Sequence, residues 1–240
     1  FQVEVVDCEW GEGVPVEKVT VVLNGPDERL FAQRPPRPRT VDSTFNIVTH
    51  GLILERFGIQ TLIDALPRIA REVPGVCLHI YGDGEYRQAL EDQTRHVGVR
   101  QHVRFHGWVP LEEIPDRLDG MDVGYVGMLC DLMLSNKLME YVVLGIPVAV
   151  SRWSTYEHYF PEDAARYFEP GNAASVAEAM LDIYRDPESA RQRAERAATL
   201  YQHYRWPVQK QVYLDLYARL SSGDRAIGAR NADPARQSIA

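Results

Sequence analysis

From Phe45 onward, short apolar runs alternate with longer stretches whose apolar residues recur at helical spacing. That alternation constrains the fold of this 240-residue chain more than any other feature. FNIVTH has the length and composition of a strand, and the segment after it sets Ile59, Leu62, Ile63, Leu66, Ile69 and Val73 on one helical face. VCLHIY (76–81) reads as a second strand, GEYRQALEDQTRHVG (84–98) as a helix and HVRF (102–105) as a third strand. A short acidic helix near 111–118, a strand at 121–126, the helix in SNKLMEYVVLG, the strand PVAVS and a strand near 166–168 follow. Helices at 173–185, 187–204 and 207–220 complete the pattern. Strands separated by helices of this length predict an α/β fold with a doubly wound, Rossmann-like parallel sheet flanked by helices.

The flanks read differently. KVTVVLN (18–24) has the pattern of a strand closed by the turn Asn24-Gly25-Pro26-Asp27. QRPPRPRTVDST (33–44) holds three prolines and three arginines with almost no apolar residue, as a linker does. Residues 206–220 read as a closing helix, and 221–240, poor in large apolar side chains, as a loose tail. Acidic residues outnumber basic ones, 34 to 26, for a net charge of -8. That balance argues against general affinity for nucleic acid or anionic membrane, so any phosphate has to be held by local groups. Cys8, Cys77 and Cys130 show no C-x-x-C spacing and fit a reducing compartment. No apolar run approaches the ~18 residues that span a bilayer, and FQVEVVDCEW lacks the character of a signal peptide, so the expected location is cytoplasmic.

In open α/β sheets, ligands sit outside the carboxyl ends of the strands. Here those ends carry His50-Gly51, Gly82-Asp83-Gly84, His106-Gly107-Trp108, the loop 128–134 and Ser151-Arg152-Trp153. The helix opening at Ser135 adds unpaired N–H groups and a positive dipole end to that rim. Ser135 is the N-cap candidate. Lys137 in the first turn is unfavourable unless an anion such as a diphosphate faces it. Glu140 follows ~7.5 Å along the axis, an offset that suits a carboxylate bonded to the two hydroxyls of a ribose. A polar helix start with a solvated glutamate explains the same letters, and on pattern alone both readings stand.

Other residues are weighed in the same way. His102 and His106, about 13 Å apart on a strand, do not share a metal. Glu112, Glu113, Asp116 and Asp119 form a wet helix face, and Asp83 between two glycines forms a turn. Arg56 is either a surface arginine or a second cation on the phosphates. HGLILE after the first strand does not supply the G-x-G-x-x-G of a dehydrogenase-type site. Trp153 and Trp206 have no assigned role; Trp206-Pro207 starts the closing helix.

Five ordered pieces resemble the carboxy-terminal, donor-binding half of the GT-B glycosyltransferases, in particular family 4 of the retaining enzymes. They are EKVTVVLNGPDERLF, VTHGLILERFGIQTLIDAL, LHIYGDGEYRQAL, VRFHGWVPLEEIPDRLDGMDVG and SNKLMEYVVLGIPVAVS. The resemblance runs to about Leu220. It implies a remnant of the amino-terminal domain at 1–32, an interdomain linker at 33–44, a donor domain at 45–205, then the closing helix and tail.

It also implies a nucleotide diphosphate sugar as donor, with its diphosphate on Ser135, Asn136 and Lys137, its ribose on Glu140, and Arg56 and Lys137 in catalysis. Gly51, Gly82 and Gly84 would let the backbone approach the donor, and His106, Gly107, Trp108 and Val109 would border the base. Many members carry an acid eight positions before the helix glutamate; Leu132 stands there in this chain, with Asp131 beside it as the acid assigned to the donor. Retaining hexosyl transfer without a bound metal or other cofactor is implied, as is an acceptor, a saccharide or small molecule, held mainly by an amino-terminal domain beyond this chain. Little or no transfer is therefore expected from the chain alone, and peripheral membrane association of the full enzyme stays open. The alternatives are a sugar-nucleotide epimerase of the same fold and a non-catalytic nucleotide-binding module.

Overall fold

The computed structural model describes residues 19–37, 44–131 and 133–222. The strands are β1 (Phe45–His50), β2 (Val76–Tyr81), β3 (Val103–Gly107), β4 (Val123–Val126), β5 (Val148–Ser151) and β6 (Arg166–Phe168). They form one sheet in the order β3-β2-β1-β4-β5-β6, parallel at every pairing. The helices are α1 (Ile59–Glu72), α2 (Arg87–His96), α3 (Ile114–Arg117), α4 (Asn136–Val143), α5 (Ser154–Tyr159), α6 (Ala173–Arg185), α7 (Pro187–Tyr201) and α8 (Trp206–Ser221). The doubly wound, Rossmann-like sheet expected from the alternation is present.

Strand side chains alternate between two cores, one on each face of the sheet. Ile47, Tyr125 and Ala149 join Leu62 and Leu66 of α1 and Met180 of α6. Their neighbours Val48, Val126 and Val150 join Leu138 and Val142 of α4 and Leu200 of α7. Because both faces are covered, β4 and β5 are buried along their whole length and read as continuous apolar runs. Ile59, Leu62, Ile63, Leu66 and Ile69 are all buried on α1. Burying a side chain of that size contributes roughly 1.5–3 kcal/mol, so packing, more than helix propensity, holds this helix.

The chain leaves β1 toward β2 and β3 on one side, then crosses to β4 on the other. The loops after β1 and β4 therefore part, and α4 opens into the crevice between them.

The flanking segments depart from the sequence pattern. Residues 19–26 are not a strand. The Leu23 N–H donates to Gln209 Oε1 of α8 at 2.8 Å, so the segment is satisfied by a side chain instead of a ladder partner. In the proline-rich stretch, the Arg34 N–H donates to the Val143 carbonyl at the end of α4 (2.8 Å). The reading of 1–32 as a remnant falls largely outside the described residues, that of 33–44 partly, and that of the tail almost wholly. One further helix, α5, has no counterpart in the pattern read from the sequence. Its N-cap position is Trp153, which offers no capping group of its own. Among the described residues, no helix is long and apolar enough to cross a membrane.

Candidate active site

The rim loops are laced backbone to backbone. The Gly51 N–H donates to the Tyr81 carbonyl (2.9 Å), the Gly82 N–H to the Gly107 carbonyl (2.7 Å) and the Ile53 N–H to the Asp83 carbonyl (2.9 Å). Gly82 has φ +133°, and a Cβ there would lie 1.9 Å from the Gly51 carbonyl oxygen. A Cβ at Gly84 would lie 2.2 Å from the Ile53 carbonyl oxygen. These two glycines are therefore required by loop-to-loop packing, whatever ligand the rim takes. Gly51 differs: a Cβ there would meet only the Lys137 ammonium nitrogen, at 4.0 Å.

A cleft of about 600 Å³ opens above these loops. The loop residues His50, Gly51, Leu52, Gly82, Asp83 and Gly84 line it together with Tyr81, Trp108, Val109, Leu111 and Ile114. Trp108 is 73% exposed at the edge. Peptide groups beside aromatic and aliphatic side chains suit a flat ring with a polar edge.

On the far side of Gly51 stands α4. Ser135 occupies the N-cap position with extended backbone (φ -73°, ψ 127°), but its side chain makes no capping hydrogen bond. The sequence-based role of Ser135 as a side-chain cap is thus corrected, since only its carbonyl engages, accepting from the Leu138 N–H at 3.0 Å. The amides of Asn136 and Lys137 precede that first bond, and Asn136 is exposed.

Lys137 is half-buried, with its ammonium 4.8 Å from the centre of the Phe57 ring. The Arg56 guanidinium lies 5.2 Å from the centre of the same ring, so Phe57 has two cations as neighbours. Among the described residues, neither cation is in an ion pair. Desolvation pushes Lys137 down to about 8, opposed by the nearby Glu140 carboxylate. Glu140 itself hydrogen-bonds through Oε2 to His50 Nε2, and His50 Nδ1 lies 2.9 Å from the Tyr141 hydroxyl.

The structure thus brings Gly51, Gly82, Gly84, Trp108 and Val109 to one cleft, with Lys137 close to Gly51 and Glu140 bonded to the cleft residue His50. His106, Gly107 and Asp131 are not among the residues that line this cleft. The His106 ring stacks on Tyr81 at 4.1 Å and on His79 at 5.3 Å, outside the cleft lining. Burial lowers His79 to about 4, helped by His106 and Arg104, and burial lowers His106 as well. Gly107 serves as the carbonyl partner of Gly82.

Asp131 Oδ2 accepts from the Ser154 hydroxyl (2.7 Å) and the Thr155 N–H (3.4 Å), capping α5 from across the rim. Trp153 donates its indole N–H to the Met128 carbonyl at 2.9 Å, bracing the same loop. Arg152 is held by Glu157, Glu162 and Glu169. Among the described residues, no three His, Cys, Asp or Glu side chains are gathered to hold a metal.

Sequence reasoning did not select His50 or Phe57. His50 sat in the first rim dipeptide, and its partners lie about ninety positions away on α4. Only its place at a strand end signalled it.

Fold and crevice together define a Rossmann-like α/β domain of the kind that forms the carboxy-terminal half of the GT-B architecture. The sequence profile of the glycosyl transferases group 1 family matches residues 44–186, and the chain belongs to that family.

The chain is 31% identical over 175 residues to the lipopolysaccharide core biosynthesis glycosyltransferase LpsE of Rhizobium meliloti, covering 72% of this chain and 49% of LpsE. It spans about half the length of the curated relatives it matches. The carboxy-terminal domain of the group 1 glycosyl transferase LpcC from Francisella tularensis superposes with a TM-score of 0.60 at 14% identity, covering 74% of this chain and 97% of that domain. Anabaena HepE, crystallised with UDP and glucose, superposes with a TM-score of 0.72 at 20% identity, covering 88% of this chain and 59% of HepE.

Proposed function

We propose that this chain is the donor-binding part of a retaining glycosyltransferase and holds a nucleotide diphosphate sugar in the crevice between β1 and α4. The observation that carries the reading is the pair of cations around Phe57 beside the exposed start of α4. A helix start with two cations around a neighbouring ring supplies what a diphosphate needs. In this reading the diphosphate meets the amides of Asn136 and Lys137, the Lys137 ammonium and the Arg56 guanidinium. Glu140 accepts from the ribose hydroxyls, and the base lies toward Trp108 and Val109, where the lining is apolar. Ser135 shapes the helix start through its carbonyl, and Asp131 fixes the loop on the sugar side.

Transfer breaks the bond between the anomeric carbon and the diphosphate. Negative charge then grows on the departing oxygen, and fixed N–H dipoles with two cations are stronger there than in water because the site is partly desolvated. A partner domain supplies the acceptor. This division of labour is supported by the share of its relatives' length that the chain covers.

Calorimetric titration of UDP, GDP, ADP and dTDP into the wild type and Glu140→Ala tests the reading. The substitution is expected to weaken the nucleoside diphosphate that binds best by ~1–3 kcal/mol, the scale of hydrogen bonds to a charged group. Equal affinity for both proteins would remove Glu140 from the site.

A further inference from the structure

A carboxylate free to rotate presents its oxygens to a ligand only part of the time. Glu140 does not have that freedom. His50, 7% exposed at the end of β1, directs both ring nitrogens at consecutive residues of α4. A carboxylate only accepts hydrogen bonds, so Nε2 carries the proton and donates to Glu140 Oε2. In the neutral ring Nδ1 is then an acceptor, and the Tyr141 hydroxyl at 2.9 Å donates to it. The same hydroxyl also meets the Thr49 side chain, and the Val48 carbonyl lies 3.5 Å away, at the outer limit of a hydrogen bond.

Tyr141 is fully buried and meets the imidazole edge-on, with ring centres 5.1 Å apart at 76°. Neither ring can turn without losing this contact. One oxygen of Glu140 is therefore committed to the protein. Among the described residues Oε1 has no hydrogen-bond partner, and the side chain keeps 13% of its surface exposed.

We infer that His50 is a positioning residue: with its tautomer set by the Glu140 carboxylate and its ring held by Tyr141, it locks Glu140 so that Oε1 faces the vicinal diol of the bound nucleotide. The inference rests on the reading of Glu140 as the diol acceptor. It adds a requirement that reading lacks, because an unpinned glutamate would bind the diol less well with every atom of the ligand contact still present.

The test uses UDP, GDP and ADP, each beside its 2′,3′-dideoxy analogue, with inorganic pyrophosphate as the control. The ratio of diol to dideoxy affinity reads the Glu140 contact alone. In His50→Leu this ratio is expected to fall about tenfold, the scale of one hydrogen bond to a charged group, with pyrophosphate affinity unchanged. His50→Gln, whose amide nitrogen can stand where Nε2 stands and donate to Glu140, is expected to restore most of the ratio. A role in packing alone would favour Leu and Gln equally.

If Glu140→Ala abolishes the ratio while His50→Leu preserves it, the inference is overturned and the reading of Glu140 stands. If Glu140→Ala leaves the ratio intact, or no nucleoside diphosphate binds, the reading fails and takes the inference with it. A matching loss of pyrophosphate affinity in His50→Leu would mean a general collapse of the crevice and would also overturn the inference. Should His50→Leu fail to fold, Tyr141→Phe removes only the hydroxyl that holds the ring through Nδ1; an unchanged ratio there refutes the proposal and a reduced ratio supports it.

Discussion

Lys137 offers a direct way to ask whether a diphosphate sits at the start of α4. Desolvation holds its ammonium at about 8 in the free protein, against an ordinary 10.5. A dianion bound against it returns the value toward normal, because the charged form regains a partner. Well below pH 8 both free and bound forms carry the proton, and binding takes up almost none. Between the two values the free form has lost it and the complex keeps it, so binding draws a proton from solution.

For a return to the ordinary value, uptake is about 0.5 proton at pH 8 and about 0.9 at pH 9, and affinity falls about tenfold from pH 7 to pH 9. The diphosphate does not confuse the measurement, because a phosphate's last ionisation, near pH ~6, is over by then. Calorimetry of nucleoside diphosphate binding in buffers of different ionisation enthalpy gives the uptake directly. Lys137→Arg keeps its charge throughout this range and is expected to show none. Binding at pH 9 with no proton uptake by the wild type would refute the argument, because the free ammonium would then not be a desolvated group, or no phosphate would face it.

Gly82→Ala puts a Cβ 1.9 Å from the Gly51 carbonyl oxygen on a backbone with φ +133°, so a stability loss on the order of 1–3 kcal/mol is expected. An unchanged melting temperature would refute the loop-packing account. Asp131→Ala removes the carboxylate that caps α5, which is expected to cost ~1 kcal/mol in urea denaturation. Unaltered stability would mean that the cap contributes nothing.

Much of the fold was legible because its signals are local. The stripe on α1 and the apolar runs of β4 and β5 record how many faces each element buries, and burial leaves its period in the letters. Residues 19–24 carry a strand-like pattern yet form none, because a strand also needs a partner edge, and here Leu23 is met by Gln209 from α8 instead. The α5 helix was invisible for a similar reason. Its cap is Asp131, 23 positions before the first helical residue, while its own N-cap position holds a tryptophan.

The sequence by itself determined the alternation, the parallel sheet and therefore the rim on which a site must lie, since side-chain periodicity and chain connectivity are properties of neighbours along the chain. Only the tertiary structure decided what the rim residues do: Gly82 and Gly84 serve loop packing, His106 joins a ring stack, and Asp131 caps a helix. It also supplied the contact of His50 with Glu140 and Tyr141. A hydrogen bond between residues about ninety positions apart leaves no period to read. It exists only once β1 and α4 have been folded against each other.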